Sequence, residues 1–365
     1  MKRLGLLFTE CQMIVSLAGV IVSSDHPDIT LEKENCPTYN FTDGCGLMSQ
    51  GFAEKIAKKN YTPSVVQLRH KVRLPSFVIV VNMDGKGYKG VLMVDPKLEG
   101  CQIIFRKSMQ KFKSDSSILA RELGVVEFSH PSREGAYLNK QLIMVLSELG
   151  ISDDVLLDKQ RQHLFAPRHP FLLLKWALLH HPAHAARILE ARNNGEMDTA
   201  INNILRRIDK QMKGCQESLR VLVPLSRIVF GVADISGRLK YGQCFFRPTI
   251  AGTPRTLKNG KVAVSRNPCY HPGDLRVLEP VDIPELSHLR DCIVFPVEGP
   301  RPHAHEMSGG DLDGDKFFVT WDPDLVPSRT CEPFPYDENP PKAPAEDNIP
   351  EQTIPTADDM ARYAT

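Results

Sequence analysis

The sequence predicts an α+β chain in which two β-rich segments flank a helical stretch. Three observations predict it. Apolar runs rich in β-branched residues occupy the first 110 or so residues, an amphipathic stripe at helical spacing follows, and short apolar runs separated by Gly and Pro return between about 219 and 330. Taken in order, Ile14–Val22, Phe77–Val81 and Gly90–Val94 read as strands. Ser49–Lys59 reads as a helix, with Ser49 as N-cap, Phe52 and Ile56 at helical spacing, and Lys58 and Lys59 in the last turn. Tyr137–Leu149 carries Leu138, Leu142, Val145, Leu146 and Leu149 on one face and stops at Gly150. Asp153–Leu164, Phe171–Arg192 and Met197–Lys213 continue the helical stretch. The boundaries that follow are a first β domain at 1–112, a helical connector at 113–218, a second β domain at 219–330 and a tail at 331–365. Seven prolines and an acidic excess make that tail read as a linker. No internal repeat stands out.

At 365 residues and a net charge of +1, the chain can bury two or three sizeable cores. The charge is unevenly placed. Residues 201–275 hold 13 Lys and Arg against 4 Asp and Glu, whereas 331–365 hold 2 against 8. A basic stretch of that kind suits a polyphosphate partner, and it also suits a solvated helix face. Nine cysteines without a C-x-x-C pair argue for reduced intracellular thiols rather than a disulfide frame or zinc ribbon. The apolar run after Met1-Lys2-Arg3 is too short for a signal peptide, and Phe171–Leu179 is too short to span a bilayer, so no membrane association is expected.

The most informative chemistry lies at Asp311-Leu312-Asp313-Gly314-Asp315, entered through Ser308-Gly309-Gly310 and left through Lys316-Phe317-Phe318-Val319. In extended chain the three carboxylates would point to one side. Gly310 and Gly314 allow the turn that brings their oxygens together. Three carboxylates so close repel one another and call for a counter-charge, and Mg2+ prefers carboxylate oxygens together with substrate phosphates. Other readings compete. An acidic surface turn is the ordinary fate of such a cluster. An EF-hand loop fails, because the sixth and twelfth positions counted from Asp311 are Lys316 and Asp322 rather than Gly and Glu. A phosphatase of the haloacid dehalogenase type would place its D-x-D-G pattern at the end of a buried strand, whereas here the apolar strand comes afterwards. His303 and His305 beside Glu306 could imitate zinc ligands, but no second ligand cluster accompanies them.

Several further stretches occur in a fixed order: Phe41-Thr42-Asp43-Gly44-Cys45-Gly46, Gly87-Tyr88-Lys89-Gly90-Val91-Leu92, Tyr137-Leu138-Asn139-Lys140-Gln141-Leu142-Ile143, Phe230-Gly231-Val232-Ala233-Asp234 and Asn267-Pro268-Cys269-Tyr270-His271-Pro272-Gly273-Asp274. Together with the Asp cluster, and spanning about residues 3 to 330, they resemble the catalytic region of the eukaryotic RNA-dependent RNA polymerases of RNA silencing. The resemblance implies two double-psi β-barrels separated by a helical insert, with the Asp cluster on the second barrel facing the first. It implies synthesis of RNA from an RNA template and ribonucleoside triphosphates, giving double-stranded RNA for silencing, and Dicer or Argonaute proteins as partners. Two Mg2+ ions about 4 Å apart would serve such a reaction, with Asp311, Asp313 and Asp315 as ligands. Lys89 on the opposing barrel, then Arg69 and Arg266, would face the triphosphate, and Gly260–Asp274 would form a substrate-facing loop. Either nucleus or cytoplasm is compatible.

The chain departs from the family pattern by lacking the larger N-terminal region and the C-terminal neck and head. Residues 70–86 also intervene between Gln67-Leu68-Arg69 and Gly87-Tyr88-Lys89-Gly90, as an aberrant insertion would, and could displace Arg69 and Lys89. The alternative to a catalytic core is a non-catalytic RNA-binding fragment.

Overall fold

The computed structural model describes residues 13–31, 38–57, 62–69, 86–113, 122–131, 135–164, short helical pieces between 188 and 206, and 219–336. Phe77–Val81, most of the two helices expected after Leu164, and the tail beyond 336 lie outside the described residues.

The first β unit contains β1 (Met13–Ser16), β2 (Ile21–His26), β3 (Cys45–Met48), β4 (Val65–Arg69), β5 (Lys86–Val94), β6 (Gln102–Arg106), β7 (Gln110–Lys113) and β8 (Glu122–Phe128). They form one sheet in the order β1-β8-β4-β5-β3-β6-β2, with β7 also on β5. The run expected as one strand over Ile14–Val22 is two strands, because Val20 N donates to Leu17 O (3.0 Å) across a turn in which Gly19 takes φ +73. The helix expected over Ser49–Lys59 is shorter: α1 (Gln50–Lys55) is capped by Ser49 Oγ, which accepts from Phe52 N at 3.2 Å. β4 and β5 pair antiparallel with Arg69 opposite Lys89, so the two arms keep register across the intervening stretch.

β9 (Ala136–Leu138) pairs with β10 (Val221–Val223), so the chain returns beside itself across the helical stretch. Between them, α2 (Lys140–Glu148) starts three residues later than its stripe suggests. Asn139 Oδ1 accepts from Leu142 N (2.9 Å), which leaves Tyr137 and Leu138 to the strand. Leu142, Val145 and Leu146 are buried as the periodicity requires, and α3 (Asp153–Leu164) follows.

In the second β unit, β11 (Ser226–Ala233), β12 (Gln243–Phe246), β13 (Val262–Arg266), β14 (Leu275–Pro280), β15 (Cys292–Phe295) and β16 (Lys316–Thr320) close a six-stranded barrel, β11-β15-β12-β14-β13-β16. The expected substrate-facing loop at Gly260–Asp274 is part strand and part loop: Val262–Arg266 is β13, and the loop that follows it ends at the fully buried Asp274. The barrel's pairings repeat those of the first unit. Read as β2-β6-β3-β5-β4-β8 and β11-β15-β12-β14-β13-β16, both series run parallel, antiparallel, parallel, antiparallel, antiparallel. The units differ at the seam: β16 returns to β11, whereas β8 pairs with β1. Cys45, Leu47, Val65, Val91 and Met93 of the first unit share one buried cluster with Val232, Phe245, Phe246 and Ile293 of the barrel. Burial of each such large side chain contributes about 1.5–3 kcal/mol, so the two units hold one another firmly. Residues 331–334 lie on the barrel, where Arg276 Nη1 donates to Cys331 O (3.1 Å) and Arg301 Nη1 to Phe334 O (2.9 Å). A separate unit begins at Pro335, four residues after the expected start of the tail.

Candidate active site

The Asp turn leaves the short helix α4 (His303–Glu306) and feeds β16. Ser308 (φ +55) and Gly309 (φ +60) reverse the chain after the helix. The turn is curled rather than extended, which overturns the expectation of three carboxylates alternating onto one side. Asp313 N donates to Asp311 Oδ1 and Asp311 N to Asp315 Oδ2, both at 3.0 Å. Gly314 has the left-handed backbone expected of it, at φ +132. Gly310 serves by its size instead: a Cβ there would lie 2.5 Å from Arg266 Cδ and 2.8 Å from Ala304 O.

The first β unit presents the turn Thr42-Asp43-Gly44 against this one. Leu312 N donates to Asp43 O at 2.9 Å. Gly44 takes φ +77, and a Cβ on it would stand 2.3 Å from Asp313 Cβ, so only glycine lets the two backbones approach. Gly44 N is held by Ser108 Oγ (3.0 Å), which Asp28 fixes in turn at 2.7 Å. Lys89, on β5, reaches across to Asp313, with Nζ 2.8 Å from Oδ1 and 2.6 Å from Oδ2. Lys111, on β7, stands 3.7 Å from the same carboxylate. Arg266, at the end of β13, grips Asp315 through Nε and Nη2 and so lies within the turn's own framework. Arg69 is placed by its backbone alone, as the partner of Lys89 on β4.

Asp311 has no basic partner among the described residues. Burial, then the charges of Asp313 and Asp315, push its carboxyl up to about 7. Among the described residues no three His, Cys, Asp or Glu side chains converge as a metal group, since Asp313 is turned to Lys89 and Asp315 to Arg266. The donor set fits a hard divalent cation all the same: every donor is a carboxylate oxygen, and one carboxylate is left uncompensated.

Two buried groups hold the turn from behind. Asp274 accepts from Tyr270 N and His271 N (both 2.9 Å) and from Ser308 N (3.0 Å), tying the 267–274 loop to the residue that starts the reversal. Glu306 joins Tyr241, Arg276 and His303, with His303 Nδ1 at 2.6 Å. Burial would raise the Glu306 carboxyl, but the His303 hydrogen bond, with Arg276 and Tyr241, holds it below its ordinary value. His303 Nε2 accepts from Gly242 N, and His305 Nδ1 accepts from Arg301 Nε, so these rings are engaged with protein groups. Sequence reasoning named neither Asp43 nor Gly44 as site residues, although their stretch stood out. Asp274 was named only as the end of a recognised stretch, and Lys111, which carries no local signal, was missed altogether.

A family model described as RNA dependent RNA polymerase matches residues 1–364. A rice protein (Oryza sativa subsp. japonica) named probable RNA-dependent RNA polymerase 1 is 35% identical over 327 residues, covering 83% of this chain and 40% of that protein. RNA-dependent RNA polymerase 1 of Arabidopsis thaliana is 35% identical over 326 residues, covering 83% and 27%. RNA-dependent RNA polymerase 1 of Schizosaccharomyces pombe is 32% identical over 341 residues, covering 83% and 26%. Among solved structures, the RNA-dependent RNA polymerase QDE-1 from Thielavia terrestris superposes with a TM-score of 0.67 at 23% identity, covering 93% of this chain and 40% of that one, which shows a shared fold. The chain spans two fifths or less of the length of these proteins.

Proposed function

Since this chain belongs to the RNA-dependent RNA polymerase family, we propose that it carries the nucleotidyl-transfer centre of such a polymerase, joining ribonucleotides on an RNA template. The observation that carries the reading is Lys89 of the first β unit standing 2.6 Å from Asp313 of the second, which builds one site from both. The repeated strand pairing supports taking both units as double-psi β-barrels, with the Asp turn on the second.

In this reading a 3′-hydroxyl attacks the α-phosphate of a ribonucleoside triphosphate and pyrophosphate leaves. Asp311, Asp313 and Asp315 would hold Mg2+, which supplies charge neutralisation and activation of the attacking oxygen when bound. Lys89 and Lys111 lie on the face opposite the carboxylates, where the triphosphate would bring its charge, and stabilise that charge as it shifts toward the leaving oxygens. Arg266 acts as a positioning residue, fixing Asp315 from within the turn, and Arg69 is a further candidate for the phosphates. Double-stranded RNA as product, a role in gene silencing, and Dicer or Argonaute partners belong to the same proposal. No helix among the described residues is long and apolar enough to cross a membrane.

The phosphatase alternative loses ground, because the D-x-D-G run here precedes its strand. The test is primer extension with an RNA template, four ribonucleotides and Mg2+. We expect template-dependent incorporation that Asp315→Ala abolishes. Equal incorporation by the variant would remove the ligand assignment. RNA binding without any incorporation would favour the non-catalytic reading, and phosphate release from small phosphoesters without template would favour the phosphatase.

A further inference from the structure

A pocket of about 260 Å3 opens between the two β units, away from the Asp turn. Thr62, Ser64 and Val94 wall it on one side, and Arg247, His288 and Arg290 on the other. No carboxylate stands among its described lining residues. Arg290 Nη2 donates to Thr62 O at 2.9 Å and Arg247 Nη1 to Ser287 O, which orients both guanidinium groups. Nε and Nη2 of Arg247 have no protein partner among the described residues, so two donors of a fixed, planar cation stay available. The His288 ring is set by its bond to Val94 O (3.0 Å) and contributes shape. Two guanidinium groups in a concave site with no carboxylate among its described lining residues suit one ligand chemistry above others, a phosphate oxyanion.

From this geometry we propose that the pocket holds a backbone phosphate of RNA whose other end lies at the Asp turn. The proposal deepens the polymerase reading and rests on it. One strand connects the two places: β5 carries Lys89 at the Asp turn and Val94 at the pocket. Five residues of extended chain span about 17 Å, farther than a single nucleotide reaches. A strand anchored in the pocket therefore reaches the carboxylates only if it is several nucleotides long. A free nucleoside triphosphate offers the same anion without that length requirement.

The test is fluorescence anisotropy on the whole chain, with a labelled 12-nucleotide RNA, a labelled dinucleotide and a labelled ATP, over a series of salt concentrations. Arg247→Gln should weaken the 12-mer about 3- to 10-fold at ~0.15 M salt and flatten its log–log salt slope by about 0.7, the loss of one single-strand phosphate contact. The dinucleotide and ATP should each lose less than the 12-mer, since neither reaches from the pocket to the Asp turn. Arg247→Lys should restore the slope, which a folding defect would not allow. An unchanged 12-mer slope in Arg247→Gln overturns the pocket, while primer extension by the parent chain still upholds the polymerase reading. A loss confined to ATP overturns the RNA assignment in favour of a triphosphate site. A parent chain that binds no RNA overturns both readings, and the absence of primer extension marks that case.

Discussion

Replacing Asp311 by Asn should stabilise the metal-free chain at pH 8 and leave its stability unchanged at pH 4. Asn keeps the oxygen that accepts from Asp313 N and removes only the charge. In the fold the carboxyl titrates at about 7, against 3.8 for the free side chain, because burial and then Asp313 and Asp315 oppose its ionisation. Between those values the folded chain keeps a proton that the unfolded chain has lost, so wild-type stability falls as pH rises through the window. Three units at about 1.4 kcal/mol each set a ceiling of roughly 4 kcal/mol. Partial exposure of the turn and screening by solvent reduce this to about 1–2 kcal/mol. The assay is urea unfolding of both proteins with EDTA, from pH 4 to pH 8. The difference should grow from near zero at pH 4 to its full value above pH 7. Added Mg2+ should then stabilise the wild type more than the variant at pH 8. Parallel pH profiles, or a variant less stable at pH 8, would refute the claim that Asp311 is an uncompensated carboxylate.

Gly44→Ala should cost about 2–4 kcal/mol, since the added methyl meets both a left-handed backbone and the Asp313 side chain; an unchanged Tm together with parental incorporation would contradict the close approach of the two turns. Asp274→Asn weakens three charge-assisted backbone bonds and should lower stability by about 2–3 kcal/mol in urea titration. A loss below about 0.5 kcal/mol would show that Asp274 does not tie the loops together. Burial raises the thiols of Cys244 and Cys292 far above their usual range and that of Cys269 to about 11, so iodoacetamide at pH 8 should leave these three untouched in the folded chain while, among the described cysteines, Cys101 and Cys331 react. Mass spectrometry that finds Cys244 alkylated before unfolding would overturn that ordering.

Local signals carried far. Ser49 caps α1 as its side chain allows, the 142/145/146 stripe is buried, and Gly150 ends α2 in a left-handed turn at φ +95. Each depends on residues within four or five positions, which is the range a periodicity or a cap can encode. Where a signal failed, a neighbour in the fold had overridden it. Tyr137 and Leu138 continue the helical stripe, yet they pair with Leu222 and Val221 as a strand. The repeated pairing of the two β units left no trace in residue identity, because strand order is set by which strands meet and many apolar sequences satisfy the same pairing.

By itself the sequence determined the chemistry of the acidic turn. Three carboxylates at alternate positions, the left-handed glycine between the last two, and the apolar strand that follows are all written in consecutive residues. Only the tertiary structure decided what faces them. Lys89 lies 224 positions from Asp313, and Gly44, Asp43 and Lys111 are as remote. Arg266 meets Asp315 because β13 ends beside the turn. The reason is physical: turns and caps are stabilised by atoms a few bonds away, whereas the partner of a buried charge is chosen by the closing of sheets whose strands lie hundreds of residues apart.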